Sequence, residues 1–156
     1  MKTTTLLVTT ALLALATAAA AQEETTMTME EVPAAVMEAA TAANAMGTEF
    51  ESVAMDDGIY EFAGTGSDGM GYEVDVMEDG TVEEVERQIE ASALPAEVAA
   101  ALEAEMAGFT PDYVEESTRA DGAVVYEFEG THEGQEIDAE INADGSGFTQ
   151  NNDATG

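Results

Sequence analysis

The chain has no cysteine and no tryptophan, a single histidine, three prolines, and three basic residues against 34 acidic ones. Without cysteine it has no disulfide framework, no thiol nucleophile and no site for lipoprotein anchoring, so stability must come from burying Val, Ile, Leu, Phe, Tyr and Met. The shortage of base is equally informative. Lys2 sits in an N-terminal leader, which leaves Arg87 and Arg119 alone to oppose the acids. Such a field repels phosphates and excludes nucleic acid and an anionic membrane surface as partners. Its complement is a cationic partner, or salty surroundings that screen self-repulsion over distances well under about 10 Å. His132 stands in Gly130-Thr131-His132-Glu133-Gly134, which reads as an exposed turn, and no Gly-x-Ser-x-Gly elbow accompanies it. No catalytic residue emerges, an enzyme is not expected, and neither a cofactor nor a transition-metal site is indicated.

Residues 1–21 carry the three parts of a secretory signal peptide: Lys2, the apolar run Leu6 to Leu15, and Ala19-Ala20-Ala21 before Gln22. The run is too short to be argued as a membrane span. The mature chain is therefore expected in the periplasm, or secreted to the medium. Residues 22–31, rich in Glu and Thr, read as a flexible acidic leader, and residues 151–156 as a disordered tail.

Between these ends the sequence repeats itself. Tyr60-Glu61-Phe62-Ala63-Gly64 returns as Tyr126-Glu127-Phe128-Glu129-Gly130, an offset of 126 − 60 = 66, and Val32-Pro33-Ala34 returns as Leu94-Pro95-Ala96, an offset of 95 − 33 = 62. Repetition of this length marks a duplicated supersecondary unit. We divide the chain into module 1, residues 32–90, and module 2, residues 91–150. Each opens with an Ala-rich helix, Val32 to Met46 or Leu94 to Ala107, with proline in its first turn and Gly47 or Gly108 past its end. Strand-like alternation follows, over Phe50 to Met55, Ile59 to Ala63, Gly71 to Met77 and Thr81 to Gln88, then over Tyr113 to Thr118, Val124 to Glu129, Glu136 to Ile141 and a short piece near Phe148. Asp57-Gly58, Asp79-Gly80, Asp121-Gly122 and Asp144-Gly145 mark turns. Val82 to Ile89 fits both a strand and the start of a linking helix. The fold class is α+β, with two tandem helix-plus-antiparallel-meander modules forming one continuous antiparallel sheet and the helices on one face.

Period-two alternation assigns the faces. Tyr60, Phe62, Tyr72, Val74 and Val76, then Val124, Tyr126, Phe128, Ile137, Ala139 and Ile141, point toward the helices. The opposite face collects Glu61, Glu73, Asp75, Glu127, Glu129, Asp138 and Glu140. Like charges facing one another across a sheet are destabilising by up to about 1 kcal/mol per pair. A face so loaded either meets water or receives a cationic partner.

A helix opened by Val-Pro or Leu-Pro, a meander containing Tyr-Glu-Phe-x-Gly, then Tyr72-Glu73-Val74-Asp75-Val76 and an Asp-Gly turn resemble the PepSY domain. The tandem resembles PepSY-like proteins with the fold of the beta-lactamase-inhibitor protein. The resemblance covers Val32 to about Gln150. It implies an exported module of helix and antiparallel sheet, regarded as a peptidase-inhibitory or protein-binding unit. The second copy departs from the pattern, since Ile137 replaces Tyr72 and Glu83 to Ile89 has no counterpart after Gly145.

One loop bears on metal. Asn142, Asp144, Ser146 and Asp153, with Gly147 at the sixth place, match part of a calcium-loop pattern, but Thr149 holds the eighth position and no exiting helix follows. The repeat gives a simpler account, a hairpin turn like that at Asp79-Gly80, so no metal ligand is assigned. We expect non-enzymatic binding of a protein, a peptidase or another envelope protein, through the acidic face. The alternatives are low-affinity divalent-cation binding by that face or the Asn142 loop, and a passive acidic envelope protein of a salt-adapted organism.

Overall fold

The computed structural model describes residues 25–151, Asn151 by its backbone only. The expected signal peptide, residues 22–24 of the expected leader and residues 152–156 of the expected tail lie outside the described residues. Strands β1 (Thr25–Met27), β2 (Ser52–Asp56), β3 (Ile59–Thr65), β4 (Gly71–Met77), β5 (Val82–Gln88), β6 (Tyr113–Arg119), β7 (Val124–His132), β8 (Gln135–Asn142) and β9 (Thr149–Asn151) pair antiparallel in sequence order, as one nine-stranded meander. Helix α1 (Ala34–Ala43) precedes β2 and helix α2 (Ala96–Glu105) precedes β6, each after a short 3-10 turn, Met29–Glu31 or Ala91–Ala93. The chain is thus α+β, and the order of 3-10 turn, helix and four strands recurs.

Both helices begin two residues later than the sequence implies. Pro33 and Pro95 keep extended ψ angles of 138° and 146° and act as N-caps, their carbonyls accepting from Met37 and Ala99. Both helices also stop early. At α1 the cause is Asn44: its Oδ1 accepts from the Met46 and Gly47 amides at 3.0 and 3.2 Å, and its Nδ2 donates to the Thr48 carbonyl at 2.8 Å. A side chain that satisfies these groups competes with another helical turn.

The turns follow their glycines. Asp57-Gly58 and Glu133-Gly134 place both residues at positive φ, 44° and 89°, then 52° and 85°, the geometry of a tight two-residue hairpin. At Asp79-Gly80, Asp121-Gly122 and Asp144-Gly145 only the glycine is left-handed. The Asp Oδ1 there accepts from the amide two residues on, at 2.8 to 2.9 Å.

One core lies under each helix. Val36 and Ala40 of α1, one turn apart, close over Val53, Tyr60, Phe62, Val74 and Val76. Val98 and Leu102 of α2 do the same over Tyr126, Phe128, Ile137, Ala139 and Ile141. Phe62 and Phe128 are fully enclosed, each worth about 1.5–3 kcal/mol in removed apolar surface. The register links Val74 to Val85, Val85 to Thr118 and Thr118 to Val124, so both cores occupy the same face of the sheet.

Where the halves differ, packing compensates. The Tyr72 ring lies over Gly64 so closely that a Cβ there would fall 2.5 Å from its hydroxyl. Opposite Gly130 stands Ile137, and the covering ring is instead Phe109, from the segment after α2.

Two expectations are corrected at the ends. The leader is not wholly flexible: Thr25–Met27 is β1, in register with Met55, Ala54 and Val53. Met27 and Met29 pack against the first core, and the Thr28 amide and hydroxyl both donate to Glu31, at 2.9 and 2.7 Å. Apolar methionines between acids tie down a segment whose Glu and Thr content alone argues for disorder. Likewise Asn151, placed in the tail, closes β9 opposite Asp138.

Candidate functional site: a carboxylate-lined sheet face

Residues directly opposed across antiparallel strands share a face, so the register carries side-chain direction from strand to strand. One row runs from Glu61 to Asp75, Glu84 and Arg119. A second runs from Glu73 through Glu86 to Ser117. A third runs from Gln88 through Glu115, Glu127 and Glu140 to Thr149, and a fourth joins Tyr113, Glu129 and Asp138. The register therefore brings Glu61, Glu73, Asp75, Glu127, Glu129, Asp138 and Glu140 onto the face opposite the helices. It adds five that the sequence reading missed: Asp56, Glu84, Glu86, Glu115 and Glu136.

Glu84 and Glu86 were hidden by a bulge. The register shifts between Asp75 and Val76, which pair with Glu84 and Val82 and leave Glu83 as the extra residue. Val82 and Val85 then both face the helices although three residues apart, a spacing that imitates a helix. Glu115 carried a signal, since it alternates with the buried Val114.

The face differs from an open, solvated surface. Eleven of these twelve acidic side chains are half-buried, and Glu136, near the start of β8, is exposed. Ser117 and Val125, on the same face, are 0% and 1% exposed beneath them. Cβ atoms of opposed residues lie only about 5 Å apart, so long carboxylate side chains lean over one another and over their smaller neighbours. Asp75 Oδ1 and Glu127 Oε1 are shut from solvent with no hydrogen-bond partner among the described residues, as is Oε2 of the bulged Glu83.

One cation meets this face. Arg119 reaches Glu84 at 3.4 Å and pairs with Glu140, while the Ser117 hydroxyl donates to Glu84. Arg87 lies on the helix side of the sheet, opposite Tyr72, and pairs with Asp68 at 2.9 Å. Tyr113 Oη donates to Glu115 Oε1 at 2.5 Å. The electrostatics follow from this crowding. Burial, then the negative charges of Glu115, Glu73, Asp75 and Glu127, push the Glu86 carboxyl up to about 10. Burial, then Glu84, Glu140 and Glu115, lift Glu127 to about 7 against the pull of Arg119. Burial and the charges of Glu73, Glu61, Glu84 and Glu83 raise Asp75. Burial raises Glu115 and Glu129 as well. The turn carboxylates behave oppositely: Thr81 holds Asp79 below its usual range, and Ser146 holds Asp144 there.

One oxygen each of Glu84, Glu86 and Glu127 come within 4.8 Å of one another. Negative groups this close need protons or positive charge between them. The Asn142 loop is a hairpin turn: Gly145 N donates to the Asn142 carbonyl at 2.8 Å, and Asp144 Oδ1 accepts from the Ser146 amide and hydroxyl. Asp144 Oδ1 and the Ser146 hydroxyl are engaged in holding the turn, and Asp153 lies outside the described residues. His132 ends strand β7, half-buried in a T-shaped contact with Phe109, centroids 5.8 Å apart, and is not the exposed turn residue expected. No helix among the described residues is long and apolar enough to cross a membrane.

No family model and no curated protein matches the chain. Solved structures do. A DUF2874 family protein from Bacteroides uniformis superposes with a TM-score of 0.67 at 16% identity, covering 77% of this chain and 88% of that one. A BLIP-like protein from Bacteroides fragilis gives 0.66 at 14% identity over 78% and 86% of the two chains. A protein from Bacteroides eggerthii described as periplasmic gives 0.66 at 15% identity over 78% and 88%. At such identities the likeness is one of fold: this chain has the BLIP-like fold of a continuous antiparallel sheet with helices on one side.

Proposed function

We propose that the protein is an exported, non-enzymatic binding module that docks a protein through the carboxylate face of its sheet, the partner presenting Lys or Arg at the contact. The observation that carries this reading is the register, which gathers acids from β3 to β8 on one side while apolar residues and both helices take the other. A face of crowded carboxylates with one guanidinium is short of positive charge, and a cationic surface supplies it with electrostatic steering that weakens as salt rises. The fold shared with a BLIP-like protein and with one described as periplasmic supports a peptidase or another envelope protein as the partner class. The recurrence of 3-10 turn, proline cap and helix, with Phe62 and Phe128 at matching depth, supports descent from a duplicated PepSY-like module.

Capture from periplasmic extract at low and high salt tests the reading. Wild-type protein should retain a partner at low salt, and reversing Glu127 and Glu129 to Lys should release it. An unchanged set of captured proteins overturns the reading. Divalent-cation binding makes a different forecast, saturable heat near one equivalent of calcium. A passive salt-adapted surface makes a third, loss of structure on dilution into low salt with no partner captured.

A further inference from the structure

The acids of this face form a ladder in which carboxyls confront carboxyls. Glu61 opposes Asp75, Asp75 opposes Glu84, Glu73 opposes Glu86, Glu115 opposes Glu127, Glu127 opposes Glu140, and Glu129 opposes Asp138. A single such pair on an open surface is tolerated through hydration. Here the pairs are contiguous, half-buried and laid over the enclosed Ser117 and Val125. Two carboxylates held side by side away from water cannot both stay ionised without a cation between them.

The surroundings of each central group leave few remedies. Asp75 meets Glu61 from β3 and Glu84 from β5, with Glu73 on its own strand and the bulged Glu83 beside it. Glu86 meets Glu73 from β4, Ser117 and Glu115 from β6, and the field of Asp75 and Glu127. Glu115 meets Gln88 from β5, Glu127 from β7 and the field of Glu84, and takes a hydrogen bond from Tyr113 on its own strand. Glu127 meets Glu115 from β6 and Glu140 from β8, with Glu84 and Arg119 near. The guanidinium of Arg119 is committed to Glu84 and Glu140, at one end of the row. Asp75 Oδ1 and Glu127 Oε1, sealed from solvent with no donor among the described residues, are where the missing hydrogens belong.

We propose that the central carboxyls of this face, Asp75, Glu86 and Glu127, keep protons shared between facing strands at neutral pH, and that the loss of these protons as pH rises tightens docking of a cationic partner. The proposal rests on the docking reading for its second half. Its first half belongs to the free protein. The shared protons let the ladder close without counter-ions, and a docking Lys or Arg expels them. The face is thus moderately charged when empty at neutral pH, and more anionic in alkali.

Carboxyl 13C NMR on the full mature chain, titrated from pH 3 to pH 10, tests the protons directly. Expected are midpoints above pH 6 for Glu86 and Glu127, against midpoints below pH 4 for the turn carboxyls of Asp79 and Asp144 in the same sample. Completion of every carboxyl titration below pH 6 overturns the proposal. The double variant Glu86→Gln and Glu127→Gln keeps the shape of the protonated groups. It should remain folded and remove the late-titrating signals of Glu86 and Glu127 while that of Asp75 persists, and a variant melting below wild type at pH 8 overturns the proposal. For regulation the probe is decalysine: wild type should bind it at least threefold more tightly at pH 8 than at pH 6, and the double variant equally at both. Equal wild-type affinity at the two pH values overturns the regulatory half. Failure of docking by itself appears in the Glu127 and Glu129 charge reversals at a single pH, and leaves the carboxyl midpoints of the free protein where they are.

Discussion

Replacing Arg119 by Met isolates what one cation does for the crowded face, because Met keeps much of the aliphatic stem and deletes the charge. Arg119 touches Glu84 and Glu140, and its side chain is 39% exposed against 16% and 20% for theirs. A fully exposed pair is worth about 0.2–1 kcal/mol, and a hydrogen bond to a charged group in a drier place about 1.5–3 kcal/mol. With Arg119 more than a third exposed and its partners less so, removing both contacts should cost about 1–2 kcal/mol at pH 8 and low salt. The pH dependence is the sharper part. Arg119 holds Glu127 down while burial, Glu84, Glu140 and Glu115 hold it up, so its loss raises Glu127 beyond about 7. A carboxyl raised on folding contributes stability that is complete below its unfolded value, near 4.5, and is lost as pH rises through its folded value. The deficit of R119M should therefore be larger at pH 8 than at pH 5. Urea denaturation of both proteins at the two pH values measures it. A deficit equal at pH 5 and pH 8, or one below about 0.5 kcal/mol at pH 8, refutes the reasoning.

Phe128→Ala empties an enclosed site beneath α2 and should lower stability by about 3–5 kcal/mol; because β5 and β6 join the halves through a continuous ladder, fluorescence-labelled positions in both halves should melt together. Gly64→Ala sets a Cβ 2.5 Å from the Tyr72 hydroxyl and should cost about 1–3 kcal/mol by overpacking, read from the same urea curves. Asn44→Ala removes hydrogen bonds to Thr48, Met46 and Gly47 and to the Tyr72 hydroxyl at 3.2 Å; a loss of about 1–2 kcal/mol is expected, with faster amide exchange at the end of α1. Raising pH from 5 to 9 should destabilise the wild type steadily, since Asp75, Glu86 and Glu127 all titrate upward of their unfolded values; thermal melts that are flat over this range contradict it.

Much of the architecture was legible because two periods are written plainly in the chain. Val36 and Ala40, then Val98 and Leu102, mark helices that bury one stripe. The alternation of Tyr60, Glu61 and Phe62, and its return at Tyr126, assigns both sheet faces without reference to coordinates. The meander order follows from short Asp-Gly joints, which leave consecutive strands no choice but to pair. What escaped was local. The bulge at Glu83 turns a strand's period into an apparent helix and so concealed Glu84 and Glu86. Asn44 ends α1 through side-chain hydrogen bonds that no periodicity reports. β1 is three residues between acids, held by Met27 and Met29 against a core formed much later in the chain. The state of the acidic face was also out of reach: the pattern gives direction, whereas half-burial arises from many side chains crowding one surface.

Zero-length carbodiimide cross-linking between this protein and the partner it captures tests the central claim most directly. The chain carries acids on every side, Glu38 on α1 and Glu97, Glu103 and Glu105 on α2 among them, so the reagent has no built-in preference for the sheet. The account predicts amide bonds from partner lysines to Glu61, Glu73, Glu129, Asp138 or Glu140. Links confined to the helix acids, or scattered evenly over the surface, contradict it.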